Sequence, residues 1–272
     1  MNYIPAGIAN NALLRVAFII EFERNFSQEE LQSVDNNHTD WKSSLPRRSV
    51  VKGGLVLNPQ SPQINLDQSV IFGFKYNLFN KDGTVREGLH LQDNKVIYLV
   101  GEYTVWNEVW PKATKILEPV LQLLPESNKV ISYSSEYTDL FLVQGDYFNN
   151  DPTSLFRSDS DLIPKHIFKR KLNWHSHTGY FEEIVTPVLH RHLTRLNIDI
   201  RDNNNRQQRE LTMRLFHSIT PPHKPLSQES LSLPEEITSI GLDNFRILHL
   251  KARELLKKLL CNDMLEKIGI NP

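Results

Sequence analysis

Cysteine is almost absent: Cys261 is the single one in 272 residues. That excludes an intramolecular disulfide and any zinc site built on cysteine pairs, and it fits a reducing, cytoplasmic setting. Glycine is scarce too, with 11 residues. There is no Gly-x-Ser-x-Gly elbow, no Gly-x-x-x-x-Gly-Lys loop and no Gly-x-Gly-x-x-Gly fingerprint, so the familiar serine-hydrolase, P-loop and dinucleotide signatures are missing. Charge of one sign is lacking, because 31 Lys+Arg against 32 Asp+Glu leave a net charge of -1. No field of the whole chain therefore draws it to nucleic acid or to an anionic membrane, and a nucleic-acid role would need a local patch. Long hydrophobic runs are absent as well. The apolar-rich stretch 12–22 is broken by Arg15 and followed by Glu23 and Arg24, short of the roughly 20 residues that span a bilayer. Residues 1–11 lack the basic and apolar regions of a secretory signal, so none is expected.

What is present suits a folded chain: 39% hydrophobic, 9% aromatic and 23% charged residues build a sizeable core. Residues 16–22 are β-branched and aromatic, the composition of a buried first strand. Ser27-Gln28-Glu29-Glu30 has capping-box spacing and predicts a helix over 28–36. Strands are expected over 49–57, 70–79, 85–92 and 95–100, with Asp82-Gly83 supplying a tight hairpin turn. At 106–124 the apolar period changes to three and four residues, predicting a helix that carries Pro111 in its first turn and a kink at Pro119. Residues 129–143 read as a strand pair or one long strand, with Tyr133, Tyr137, Phe141 and Val143 on alternate positions. Residues 166–174, 178–184, 193–201 and 211–219 read as four further strands, and 241–260 as the clearest amphipathic helix, followed by a short helical turn. This order lacks regular β-α alternation and predicts an α+β fold with antiparallel sheets. Two subdomains are expected, 1–145 and 165–272, each a meander closed by a long helix, with 146–164 as linker.

Several segments carry a family resemblance. They are the opening strand Asn11 to Phe22, the meander leading to Tyr103 and Trp106, the segment Gly145-Asp146-Tyr147-Phe148-Asn149, and the ending Leu242 to His249 with Leu255 to Leu260. The chain resembles a sporadically distributed bacterial family of conserved proteins of about this length, itself of unknown function. The resemblance implies an intracellular bacterial protein. The patchy distribution implies carriage on mobile or defence-associated loci. It supplies no catalytic residues.

For chemistry, His175-Ser176-His177 and His190-Arg191-His192 are the sharpest local feature. Residues two apart in a strand share a face, so four imidazoles on neighbouring strands could converge on a transition metal or serve a nuclease or phosphodiesterase as general base. The bland alternative is a surface ladder of hydrogen-bonded histidines. Lys169, Arg170, Lys171 and Arg191 could hold a phosphate, or could form the solvated face of a half-buried strand. Tyr103, Trp106 and Trp110 could line a ligand pocket, or could anchor a core. The final helix presents a mildly basic face that would meet water, a protein partner or a second copy of the chain. The expectation that follows is a non-enzymatic binding or regulatory protein acting through protein-protein contacts, within a defence or toxin-antitoxin type of locus. It needs no cofactor and no membrane. A nuclease or phosphodiesterase on His175, His177, His190 and His192 is the alternative.

Overall fold

The computed structural model describes residues 2–7, 11–57, 64–144, 151–170, 173–185, 189–203, 208–220 and 237–271. The strands of its sheet pair antiparallel, and with the helices below they make an α+β protein. The chain forms two compact units that interleave along the sequence: residues 1–17, 102–106 and 133–272 in the first, 18–101 and 107–132 in the second.

In the second unit the strands are β3 (Arg47–Leu57), β4 (Ile64–Phe79), β5 (Val85–Gln92), β6 (Lys95–Val100) and the end of β2 (Leu13–Phe22), in that order. The β4–β5 turn is where the sequence puts it, with Gly83 at φ 85°, and the β5–β6 turn places Asp93 at φ 57°. Both are left-handed positions that Gly, Asp and Asn tolerate best. Helix α1 (Gln28–Asn36) starts on a complete capping box: the Ser27 hydroxyl accepts from the Glu30 amide, and Glu30 reaches back to the Ser27 amide at 2.7 Å. Arg24 pairs with the same carboxylate and, with Ser27, holds it below its ordinary pKa against the opposing effect of burial. Helix α2 (Trp106–Gln122) runs through both Pro111 and Pro119, and buries Val109, Ala113, Ile116, Leu117 and Val120 as its period requires. Trp110 packs edge-on to Phe18, with ring centroids 5.3 Å apart.

Close pairing in this unit depends on Gly73. A Cβ there would meet the Leu91 carbonyl oxygen and lie 2.9 Å from Gln92 Cα, both backbone atoms of the neighbouring strand. Gly73→Ala is therefore expected to cost about 2 kcal/mol or more, since backbone cannot give as a side chain tip can. Urea titration checks this, and an unchanged midpoint would mean that β4 and β5 separate easily there.

In the first unit the order is β2, β7 (Val130–Gln144), β10 (Gln208–Thr220), β9 (Leu189–Asn203) and β8 (Trp174–Val185), while β1 (Asn2–Pro5) pairs with β7. The stretch over 129–143 is thus one long strand. Register decides the faces. Leu211, Met213 and Leu215 of β10 stand opposite Ile200, Ile198 and Leu196 of β9, all buried. Helix α3 (Ile237–Leu259) packs beside β10, with Leu242, Phe245, Leu248, Leu255 and Leu259 buried, and α4 (Asn262–Lys267) follows it.

Two local expectations change. Residues 166–174 are not a strand: Lys165–Lys169 form a 3-10 helix, and β8 begins only at Trp174. Pro164 starts that turn at φ -60° and its carbonyl accepts from the Ile167 amide, so the apolar and basic alternation turns Ile167 inward instead of pleating. The connector 151–164 also contributes to the core. Leu155, Phe156, Leu162 and Ile163 are buried, and Phe156 bridges Leu260.

Candidate ligand cavity and the histidine network

The four sequence-marked histidines do not converge. His192 stands opposite Glu182, and His190 opposite Ile184, whereas His175 and His177 stand opposite Asp199 and Asn197. Odd positions of β8 and even positions of β9 therefore lie on opposite faces of the sheet. His175 also lies nine residues before Ile184, the partner of His190, about 30 Å along the strand. Residues two apart do share a face, as expected, but the parity of the pairing sends the two His-x-His motifs apart. His175 and His177 are exposed, their rings 5.5 Å apart and edge-on, while His190 and His192 are buried. Among the described residues no group of three or more His, Cys, Asp or Glu side chains could hold a metal ion.

What His192 joins is a different cluster. Its Nδ1 lies 3.0 Å from Glu182 Oε1, and its Nε2 lies 3.0 Å from Nδ1 of His217 on β10. The two rings are stacked at 9°, and Thr194 Oγ1 is 3.2 Å from the same His217 nitrogen. Lys251 of α3 closes the outer end with a 3.0 Å contact to Glu182. Burial keeps His192 below the ordinary imidazole pKa despite Glu182, and burial with the neighbouring His192 pushes His217 down to about 3. Two neutral rings fit one proton arrangement, in which His192 donates to Glu182 and His217 donates to His192. Burial works to raise Glu182, yet hydrogen bonds from Lys251 and His192 outweigh it and leave the carboxylate low. The cluster ties β8, β9, β10 and α3 together.

The basic tract disperses likewise. Lys169 and Arg170 are exposed at the end of the 3-10 helix, and Lys171 lies outside the described residues. Arg191 lies on the sheet face away from His192, its guanidinium 4.0 Å from the ring centre of Phe181. Arg195 covers Phe216 in the same manner at 4.1 Å.

A cavity of about 140 Å³ lies in the first unit. Tyr137 and Asp139 of β7 and Leu215 of β10 contribute from the sheet. His249, Ala252, Arg253 and Leu256 contribute from α3, and residues 11, 13, 103–106 and 268–270 complete the lining. Two of the three aromatics singled out in the sequence thus line a cavity, and the third, Trp110, packs on Phe18. Trp106 is stacked flat on His249, with centroids 4.1 Å apart at 10°. Burial, then Arg253, pushes His249 down to about 4, so its ring is neutral.

Asp139 is the unusual member. It is 5% exposed and, among the described residues, makes no hydrogen bond or ion pair. Burial alone pushes its carboxyl up to about 7. Buried carboxyls are ordinarily paired, and a lone one with a displaced pKa beside a cavity is a candidate for a functional site. Tyr103 is pushed up to about 12, first by burial; Arg253 pulls it down and Asp139 pushes it further up, so its hydroxyl senses both charges. Asp139, His249 and Arg253 were not picked out from the sequence as site residues. One signal was there: Asp139 falls on the alternation of Tyr133, Tyr137, Phe141 and Val143, an acid on an apolar parity.

No helix among the described residues is long and apolar enough to cross a membrane. No protein-family model matches the chain, and no curated protein matches it significantly.

Proposed function

We propose that this is a binding protein whose first unit takes a small organic ligand in the cavity between β7, α3 and the 103–106 segment. The observation that carries this reading is Asp139, a buried carboxyl that lines the cavity and has no partner among the described residues. A concave site with an apolar lining and a few convergent polar groups is the usual form of a ligand pocket. Its volume is close to that of an engineered apolar cavity that accepts benzene, roughly 150 Å³, so the ligand is of single-ring size. The partner or second copy expected from the sequence belongs to the same proposal. Phe181 and Val185, 57% and 71% exposed on the end strand β8, are surface that such a partner would cover.

The test is direct. Benzene and phenol, titrated into the protein, are expected to shift the methyl resonances of Leu215, Leu256 and Ile270 together. Ala252→Phe, which fills the cavity from α3, is expected to abolish those shifts while the dispersion of the remaining spectrum persists. Shifts that survive the filled cavity, or no shifts at all, would remove this site from consideration.

A further inference from the structure

Resting on that reading, we infer that the ligand is a small zwitterion, its protonated amine seated on Asp139, its carboxylate on Arg253, and a short apolar body between them. The cavity is lined by two groups of opposite charge that do not pair with each other. Asp139 is buried, the sort of group that folding normally matches, and Arg253 is half-buried. Asp139, 5% exposed, offers four lone-pair directions and receives no donor among the described residues. Arg253, one helical turn after His249, offers a planar fork of donors and forms no ion pair among the described residues.

An ammonium group answers the first deficit, because it brings both charge and donors to a carboxylate that water reaches poorly. A plain amine leaves Arg253 unanswered and adds a cation beside a cation. A plain carboxylic acid adds an anion to a site that already holds Asp139. Only a ligand with both ends satisfies both groups at once. The space between is bounded by Leu215, Leu256 and the Trp106 ring, so the linker is apolar, and the cavity volume of about 140 Å³ keeps it short. Tyr103, whose hydroxyl senses both Asp139 and Arg253, stands within the same lining and can donate to the carboxylate end or accept from the amine end.

The experiment is calorimetric titration at about pH 8, where Asp139 is ionised. The probes are glycine, β-alanine, 4-aminobutyrate and longer ω-amino acids, each beside the alkylamine and the fatty acid of equal chain length, with benzene as a neutral control. One ω-amino acid length is expected to bind at least about tenfold more tightly than its matched amine and acid. Asp139→Asn is expected to reduce that ligand to the affinity of the acid, and Arg253→Gln to the affinity of the amine. Arg253→Lys should restore part of the gain, which separates charge from helix packing. If benzene enters the cavity but the zwitterions bind no better than their one-ended counterparts, the inference is overturned and the cavity reading stands. If neither benzene nor any other probe binds, both fall together.

Discussion

Asp139→Asn is expected to stabilise the protein by on the order of 4 kcal/mol at about pH 8 and to leave it unchanged near pH 4. The carboxyl is raised from an ordinary 3.8 to about 7 in the folded state because burial disfavours its charge. A group raised on folding contributes fully below its unfolded pKa, and that contribution is lost as pH rises through the folded value. Above about pH 7 the folded chain holds a buried carboxylate that the unfolded chain leaves in water. Asparagine has nearly the same shape and no charge, so it removes this cost and nothing else of size. Urea unfolding at several pH values measures the difference directly. A variant less stable than the parent at pH 8 would mean that Asp139 is satisfied in solution by a group other than a ligand. Stabilisation joined to loss of ligand binding is the usual exchange at a site kept strained for function.

That residue also shows where sequence reasoning stops. Local features were legible because they rest on neighbouring residues: the Ser27–Glu30 box, the Asp82-Gly83 turn and the 3.6-residue period of α2 depend on nothing distant. The antiparallel α+β class followed from the order of such elements. The 3-10 helix at Lys165–Lys169 was lost because a run of alternating basic and apolar residues fits a pleat as well as a tight turn, and Pro164 settles the matter through one carbonyl. The histidines failed for a different reason. Each His-x-His pair places its own two rings correctly, but which face a pair occupies depends on the β8–β9 register, which no short motif states. His217 and Lys251, the partners that His192 and Glu182 do find, are brought in from β10 and α3. Asp139 and Arg253 meet one cavity from 114 positions apart, 253 minus 139, and nothing in the chain between them announces it. Only the parity of Asp139 among apolar neighbours was there to be seen.

Acidification is expected to unfold the protein through its buried histidines, and the same Asp139 variant should make that unfolding steeper. His217 and His249 are held down to about 3 and about 4, chiefly by burial, so in the folded state both stay neutral well below the ordinary 6.5. The unfolded chain takes up those protons first, and stability therefore falls as pH drops from about 6.5 toward 4. Each such ring contributes a slope of about 1.4 kcal/mol per pH unit. Asp139 opposes one of them across much of this window, because there the folded state binds the proton more tightly. Two rings less one carboxyl leave a net loss of about 1.4 kcal/mol per pH unit, and His192, also lowered, adds to it. The groups facing these rings act in defined directions: Lys251 and Arg253 disfavour the imidazolium, and Glu182 favours it. In Asp139→Asn the opposing carboxyl is gone, so the acid slope should roughly double. Urea titrations between about pH 4 and 7 supply the slopes, and imidazole nitrogen shifts report His217 in the folded protein. A His217 ring that titrates near 6.5 while the fold persists would show that water reaches the β9–β10 face freely, and the acid transition would need another source.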